Sequence, residues 1–164
     1  MPIQYTRPMQ KVITPALIQR LERCFAEFPE LSDKVVTVGL TKVADGIAEA
    51  DSMTVRLNVR PRKPVSYFTI GHELTHLLQS RGLGVVPDGE VQCDVWTLAR
   101  SALFLDDRPT YLCPHLWTRA TWPHQGVRVR DLCLAAIELR KTNRRYLVWL
   151  HDQLEPALTN PGSG

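Results

Sequence analysis

Apolar residues recur at every third or fourth position in several parts of the chain, which is the spacing of an amphipathic helix. Thr14 and Pro15 form a good helix start, because threonine caps the N-terminus and proline suits the first helical position. Ser66 and Asp88 are predicted to cap two later helices. Four helices are predicted in this way, at about 15–28, 66–80, 89–105 and 127–151.

The pattern changes to period two between the first two helices. Met53, Val55, Leu57 and Val59 alternate with polar residues, which indicates a strand with one buried and one wet face. A second strand is expected in the valine-rich stretch 35–40, followed by a turn around 44–46. Residues 1–13 and 106–126 are expected to be irregular or extended, and the glycines Gly82 and Gly84 to mark the exit from helix 66–80.

These elements predict an α+β domain. A small mixed or antiparallel sheet would pack on helix 66–80, with further helices C-terminal to it. The 164 residues suit a single domain, 1–164. Neither a signal-like segment nor an apolar run long enough for a membrane span is evident, so a cytoplasmic protein without membrane contact is expected. The four cysteines form no C-x-x-C pair and are expected to be small buried hydrophobic residues.

The predicted helix 66–80 contains His72-Glu73-Leu74-Thr75-His76. Residues four apart lie on one helix face, so both imidazoles can bind one tetrahedral Zn²⁺. Glu73 is then placed to act as general base on a zinc-bound water. The alternative is a helix whose two histidines are polar groups at the edge of the core.

A catalytic zinc site requires a third protein ligand. Glu90 and Asp94 are the best candidates, because they share one face of the next predicted helix. We favour Glu90 as the metal ligand and Asp94 as the acceptor that orients a ligating histidine. Both could instead be ordinary acids near a helix N-terminus. His124, in Trp-Pro-His-Gln-Gly, is a less favoured third ligand.

Residues 68–76, Phe-Thr-Ile-Gly-His-Glu-Leu-Thr-His, resemble the active-site helix of ImmA/IrrE-type metallopeptidases. The Glu-x-x-x-Asp of 90–94 is similar to the gluzincin pattern, and small single-domain minigluzincins share that arrangement. The resemblance covers about residues 53–105. It implies a zincin-like metallopeptidase domain with His72, His76 and Glu90 as zinc ligands and Glu73 as general base.

The predicted function is therefore zinc-dependent hydrolysis of peptide bonds, with a protein or peptide as substrate. Strand 53–59 could be a sheet edge to which an extended peptide adds. An oxyanion-stabilising donor is also expected, and Tyr111, His115, His124 and Tyr146 remain open as candidates.

Two alternatives belong to other classes. One is a zinc-binding regulatory or interaction protein without turnover. The other is a nucleic-acid-associated regulator that uses the basic helix 127–151. The net charge of +3 is too small to argue for nucleic acid, so a solvated helix face is the favoured interpretation of that helix.

Overall fold

A mixed four-stranded sheet forms one part of the molecule. The computed structural model describes residues 3–80 and 83–159. Within them the strands are β1 (Ile3–Tyr5), β2 (Val36–Leu40), β3 (Gly46–Glu49) and β4 (Thr54–Leu57). Their order is β1-β2-β4-β3, with β1 and β4 parallel to β2 and β3 antiparallel to β4. The predicted α+β class is confirmed.

The remaining regular structure is helical. The α-helices in the described residues are α1 (Arg7–Gln10), α2 (Pro15–Ala26), α3 (Tyr67–Leu78), α4 (Glu90–Arg100), α5 (Trp122–Leu139) and α6 (Tyr146–Thr159). Single turns of 3-10 helix lie at Pro29–Leu31, Ala50–Ser52, Ala102–Leu105 and Pro114–Leu116. Across residues 3–80 and 83–159, no helix has both the length and the apolar character that crossing a bilayer requires.

Two of the three predicted caps are confirmed. The Thr14 hydroxyl accepts the Leu17 N–H at 3.2 Å, and the Ser66 hydroxyl accepts the Thr69 N–H at 3.0 Å. Asp88 was wrong as a cap. Helix α4 is preceded by Gly89 at φ +116, a backbone conformation that glycine adopts without a steric penalty. Gly84 has φ +55 just beyond α3, whereas Gly82 lies outside the described residues.

The single helix predicted at about 127–151 was also wrong, because the structure has two helices, α5 and α6. The Asn143 side chain accepts the Arg145 N–H at 2.8 Å, and the Asn143 N–H bonds back to Leu139 at 2.8 Å. An asparagine that satisfies nearby backbone groups in this way competes with helical continuation. Helix α5 begins earlier than predicted, with Pro123 inside its first turn, where the missing N–H costs nothing.

Helix α3 is the centre of the fold. Its buried residues include apolar side chains and also Gly71, Thr75 and the motif residues His72 and Glu73. Thr75 donates a hydrogen bond to the Gly71 carbonyl at 2.8 Å and therefore accepts one from Thr97 of α4, also at 2.8 Å. This hydrogen bond joins α3 to α4 inside the core.

The two helices approach closely because residue 71 has no side chain. A Cβ atom at Gly71 would lie 2.7 Å from the Phe104 ring and 2.9 Å from the Thr97 methyl group. Both distances are below ordinary van der Waals contact, so only glycine fits here without displacing a neighbour.

We expect Gly71→Ala to destabilise the protein by about 1–3 kcal/mol, because the added methyl overpacks this contact. Gly126→Ala is the matched control, since its Cβ would meet Trp122 at an ordinary 3.4 Å. That helical substitution should be neutral or stabilise by up to about 1 kcal/mol. Urea unfolding monitored by circular dichroism measures both. Equal effects of the two substitutions would contradict the close approach.

Candidate metal centre

Helices α3 and α4 bring three ligand atoms together at one point. The Nε2 atoms of His72 and His76, one turn apart on α3, lie 3.2 Å from each other. Glu90, the first residue of α4, places Oε2 at 3.1 Å from each of these nitrogens. The three residues predicted as zinc ligands thus form a nearly equilateral triangle.

Asp94 orients His72 from the buried side. Its Oδ1 lies 2.9 Å from His72 Nδ1, and its side chain is 0% exposed. A carboxylate can only accept here, so Nδ1 carries the proton and Nε2 of the neutral ring presents a lone pair. The other carboxylate oxygen accepts the N–H groups of Tyr111 at 2.5 Å and Leu112 at 2.7 Å. Asp94 therefore joins α3, α4 and the segment 110–112.

Gln79 orients His76 in the same way, and sequence reasoning missed it. Its Nε2 donates to the carbonyls of Pro87 at 2.6 Å and Gly89 at 3.1 Å. Its Oε1 must then face His76 Nδ1, 2.8 Å away, and accept the proton from it. The only signal in the sequence was the three-residue spacing from His76, which places the two on one helix face.

When both rings are neutral, the triangle consists of three lone pairs that face one another, an arrangement that favours a bound cation. Both Nδ1 atoms are committed as donors, so the two Nε2 atoms and the Glu90 carboxylate are all acceptors. Two imidazole nitrogens and one carboxylate are a known donor set for catalytic zinc. Tetrahedral zinc with bonds of about 2.0–2.1 Å holds its ligands about 3.3 Å apart. The observed separations of 3.1–3.2 Å fit that ion.

The electrostatics of His72 also favour positive charge here. Burial lowers the pKa of its imidazole, but the hydrogen bond and negative charge of Asp94, with Glu73 and Glu90 nearby, raise the pKa above its ordinary value overall. A proton on His72 would relieve the repulsion among the three acceptors, as a metal ion would.

Cys93 is a competing ligand, since one atom each from His72, His76 and Cys93 lies within 4.8 Å of the others. Its Sγ, however, is 3.2 Å from Nδ1 of His76, the ring nitrogen that is hydrogen-bonded to Gln79. Burial, together with the nearby carboxylates, raises the pKa of the Cys93 thiol. A thiol must ionise to bind metal. Glu90, whose Oε2 lies 3.1 Å from both Nε2 atoms, is the better candidate for the third ligand.

Glu73 lies beside the triangle formed by His72, His76 and Glu90, and against strand β3. A Cβ atom at Gly46 would lie 2.5 Å from Glu73 Oε1, so glycine leaves room for the carboxylate. Glu73 is only 6% exposed, and burial raises its pKa to about 7, against the smaller lowering effect of His72. A carboxylate with this pKa can accept a proton near neutral pH and release it again.

The site opens into a cavity of about 470 Å³. Its wall includes His72, His76, Glu73 and Glu90, the start of β3, and the segment from Asp107 to Tyr111. The Tyr111 ring stacks on His72 with centroids 5.7 Å apart. Of the four candidate oxyanion donors, Tyr111 alone lines this cavity.

The other candidates lie elsewhere in the described part of the chain. His115 and His124 are exposed and outside the cavity wall, so the structure gives no support to His124 as third ligand. Tyr146 is buried and hydrogen-bonded to Gln92. The expected sheet edge at 53–59 was wrong, because β4 lies between β2 and β3. The strand at the edge beside the site is β3.

Comparison with known proteins does not assign a family. No protein-family model, curated protein or solved structure matches the chain. The resemblance to gluzincins and ImmA/IrrE-type metallopeptidases stays a hypothesis, carried by the residues themselves.

The four cysteines are free and buried, as predicted.

The choice between Glu90 and Cys93 can be tested by metal binding. Loss of a residue that orients a ligand typically lowers metal affinity 10–100-fold, and loss of a direct ligand should lower it more. We therefore expect Glu90→Gln to weaken zinc binding by more than about 100-fold. Cys93→Ala should leave the affinity unchanged. Competition with a chromophoric chelator measures both values. The opposite ranking would show that the thiol is the ligand.

The buried Glu73 should make the metal-free protein sensitive to pH. Because its pKa is raised from 4.5 to about 7 on folding, stability is lost as the unfolded chain releases this proton and the folded chain retains it. The loss begins near pH 4.5 and is complete above about pH 7. Glu73→Gln mimics the protonated form and should raise the thermal midpoint at pH 8 more than at pH 5. An equal rise at both would contradict the raised pKa.

Proposed function

We propose that the protein is a zinc-dependent metallopeptidase that hydrolyses bonds within a protein or peptide chain. One observation carries the proposal: Nε2 of His72, Nε2 of His76 and Oε2 of Glu90 converge within 3.2 Å of one another. The presence of a buried carboxyl, Glu73, beside this triangle supports catalysis over a purely structural metal site.

His72, His76 and Glu90 would hold the ion. When bound, zinc supplies a Lewis acid that polarises a carbonyl and makes a water molecule more acidic. The Glu73 carboxylate would accept a proton from the water that attacks the peptide carbonyl. It would then deliver this proton to the leaving amine as the C–N bond breaks, which restores the carboxylate. In the metal-free protein burial raises the pKa of Glu73, which makes its carboxylate a stronger base.

Strand β3 provides a place for the substrate. It is the edge strand nearest the site, and its first residue, Gly46, lies against Glu73. An extended peptide that pairs with the free edge of β3 would pass the catalytic carboxyl at the level of that glycine. Tyr111, whose ring stacks on His72, borders the same cavity, and its phenol is the candidate to donate to the developing oxyanion.

The compartment that fits these features is the cytoplasm. All four cysteines are free thiols, and such residues persist in a reducing environment.

Glu73→Gln tests the proposal directly. We expect it to lower the turnover of a casein or peptide-library digest by about 100-fold or more, because a general base contributes about that much. Its zinc content should be unchanged, since the residue is not a ligand. Release of new N-termini, followed by mass spectrometry, measures the activity.

The matched control is Glu138→Gln, which removes an exposed glutamate whose one ion-pair partner among the described residues is Lys141. It should retain full activity. If the zinc-loaded wild type digests the substrate and the Glu73→Gln variant digests it equally well, the role of Glu73 is contradicted. Zinc binding without any hydrolysis would favour the regulatory or interaction protein instead.

A further inference from the structure

A second cavity adjoins the candidate metal centre. It has a volume of about 450 Å³ and is lined by residues 105–108, Arg119, Trp122 and Pro123. Arg108, Arg119 and Asp107 line this cavity and also the cavity lined by His72, His76 and Glu90. The two cavities therefore share a stretch of wall that contains two arginines and one aspartate.

Neither guanidinium has an acidic partner within 4.0 Å among residues 3–80 and 83–155. Arg108 is half-buried, and the nearest acceptor of its guanidinium is the Trp117 carbonyl, 3.5 Å from Nη1. Arg119 is exposed and makes no hydrogen bond to the described residues. A half-buried cation without a counter-ion is costly, and buried charges in proteins are usually paired.

The acidic residues of the same walls are already engaged. Asp106 accepts the N–H groups of Tyr67 and Phe68 at 2.8 and 2.9 Å and pairs with Arg20 at 3.6 Å. Asp107 accepts the backbone N–H of Arg108 at 2.9 Å. Their charges offset part of the local positive potential, but in the described part of the chain neither carboxylate pairs with the Arg108 or Arg119 guanidinium. The donors of the two arginines are therefore open to a ligand.

We propose that Arg108 and Arg119 form an anion-binding subsite that holds a carboxylate of the peptide substrate next to the bond that is cut. This inference rests on the proposed peptidase function and adds the substrate class. Guanidinium groups bind carboxylates through paired hydrogen bonds, which are among the strongest in proteins. The carboxylate is either an aspartate or glutamate side chain or the C-terminus of the peptide.

Matched peptides test the subsite. In one set a single Glu or Gln is placed at successive positions around the cut site, with both ends blocked. In the second set the C-terminus is either free or amidated. We expect the wild type to prefer the carboxylate-bearing member of one set by about tenfold or more in kcat/KM, because a hydrogen bond to a charged group contributes about that much. The set that shows the preference identifies the source of the carboxylate.

Arg108→Gln and Arg119→Gln should each reduce this preference, and the double variant should abolish it while still cutting the uncharged peptides. Arg144→Gln, an exposed arginine in the α5–α6 connection, is the control and should keep the preference. Equal cleavage of both members of each pair by the wild type, or a preference that survives the double variant, overturns the subsite.

Binding provides a readout that does not require catalysis. The same peptides, labelled with fluorescein, are titrated into zinc-loaded Glu73→Gln protein and followed by anisotropy. Tighter binding of the peptides that carry the carboxylate, lost in the variant that also lacks both arginines, supports the subsite. If the wild type hydrolyses none of these peptides, such binding would reject the peptidase and keep the anion site. Equal binding of all peptides would reject the anion site even if hydrolysis is observed.

Discussion

The hydrogen bond from His72 to the buried carboxylate of Asp94 is the interaction on which the candidate site depends. It selects the tautomer in which Nε2, the nitrogen that faces Glu90, carries the lone pair, as a metal-binding histidine requires. The same carboxylate holds the backbone of Tyr111 and Leu112. A fully buried charge with one partner would be unfavourable, whereas three donors satisfy it. One side chain therefore positions a ligand, the helix α4 and a wall of the cleft together.

The fold keeps these distances short by placing small or hydrogen-bonded residues where its layers meet. Gly71 lets α3 approach α4 and the Phe104 turn, and the hydroxyls of Thr75 and Thr97 join the helices at the same level. Gly46 does the same between β3 and Glu73. Because the site lies between elements that touch at these points, a change far from the metal ligands would alter their separation.

Local regularity explains how much of the site could be read from the sequence. The spacings His72–His76 and Glu90–Asp94 are one helical turn, so the sequence alone predicts which side chains share a face. The role of Gln79 depends on the carbonyls of Pro87 and Gly89 in the following loop. Strand β3 was not predicted, because it begins at a glycine in a stretch whose residues are typical of a turn. The cleft wall 107–111 comes from an irregular segment. Its position is set by tertiary contacts with Asp94, which no periodicity encodes.

The charge of the candidate site would couple the binding of a cation to the stability of the fold. Glu73, Glu90 and Asp94 bring three carboxyl groups to the two histidines, and burial of Glu73 raises its pKa because the ionised form lacks solvation. Repulsion among these groups is a cost that the folded, metal-free chain bears and the unfolded chain does not. An ion that binds the folded state alone removes much of this cost and stabilises the fold by mass action. The arrangement that raises the pKa of Glu73 would thus also make the native structure more stable when a cation is bound.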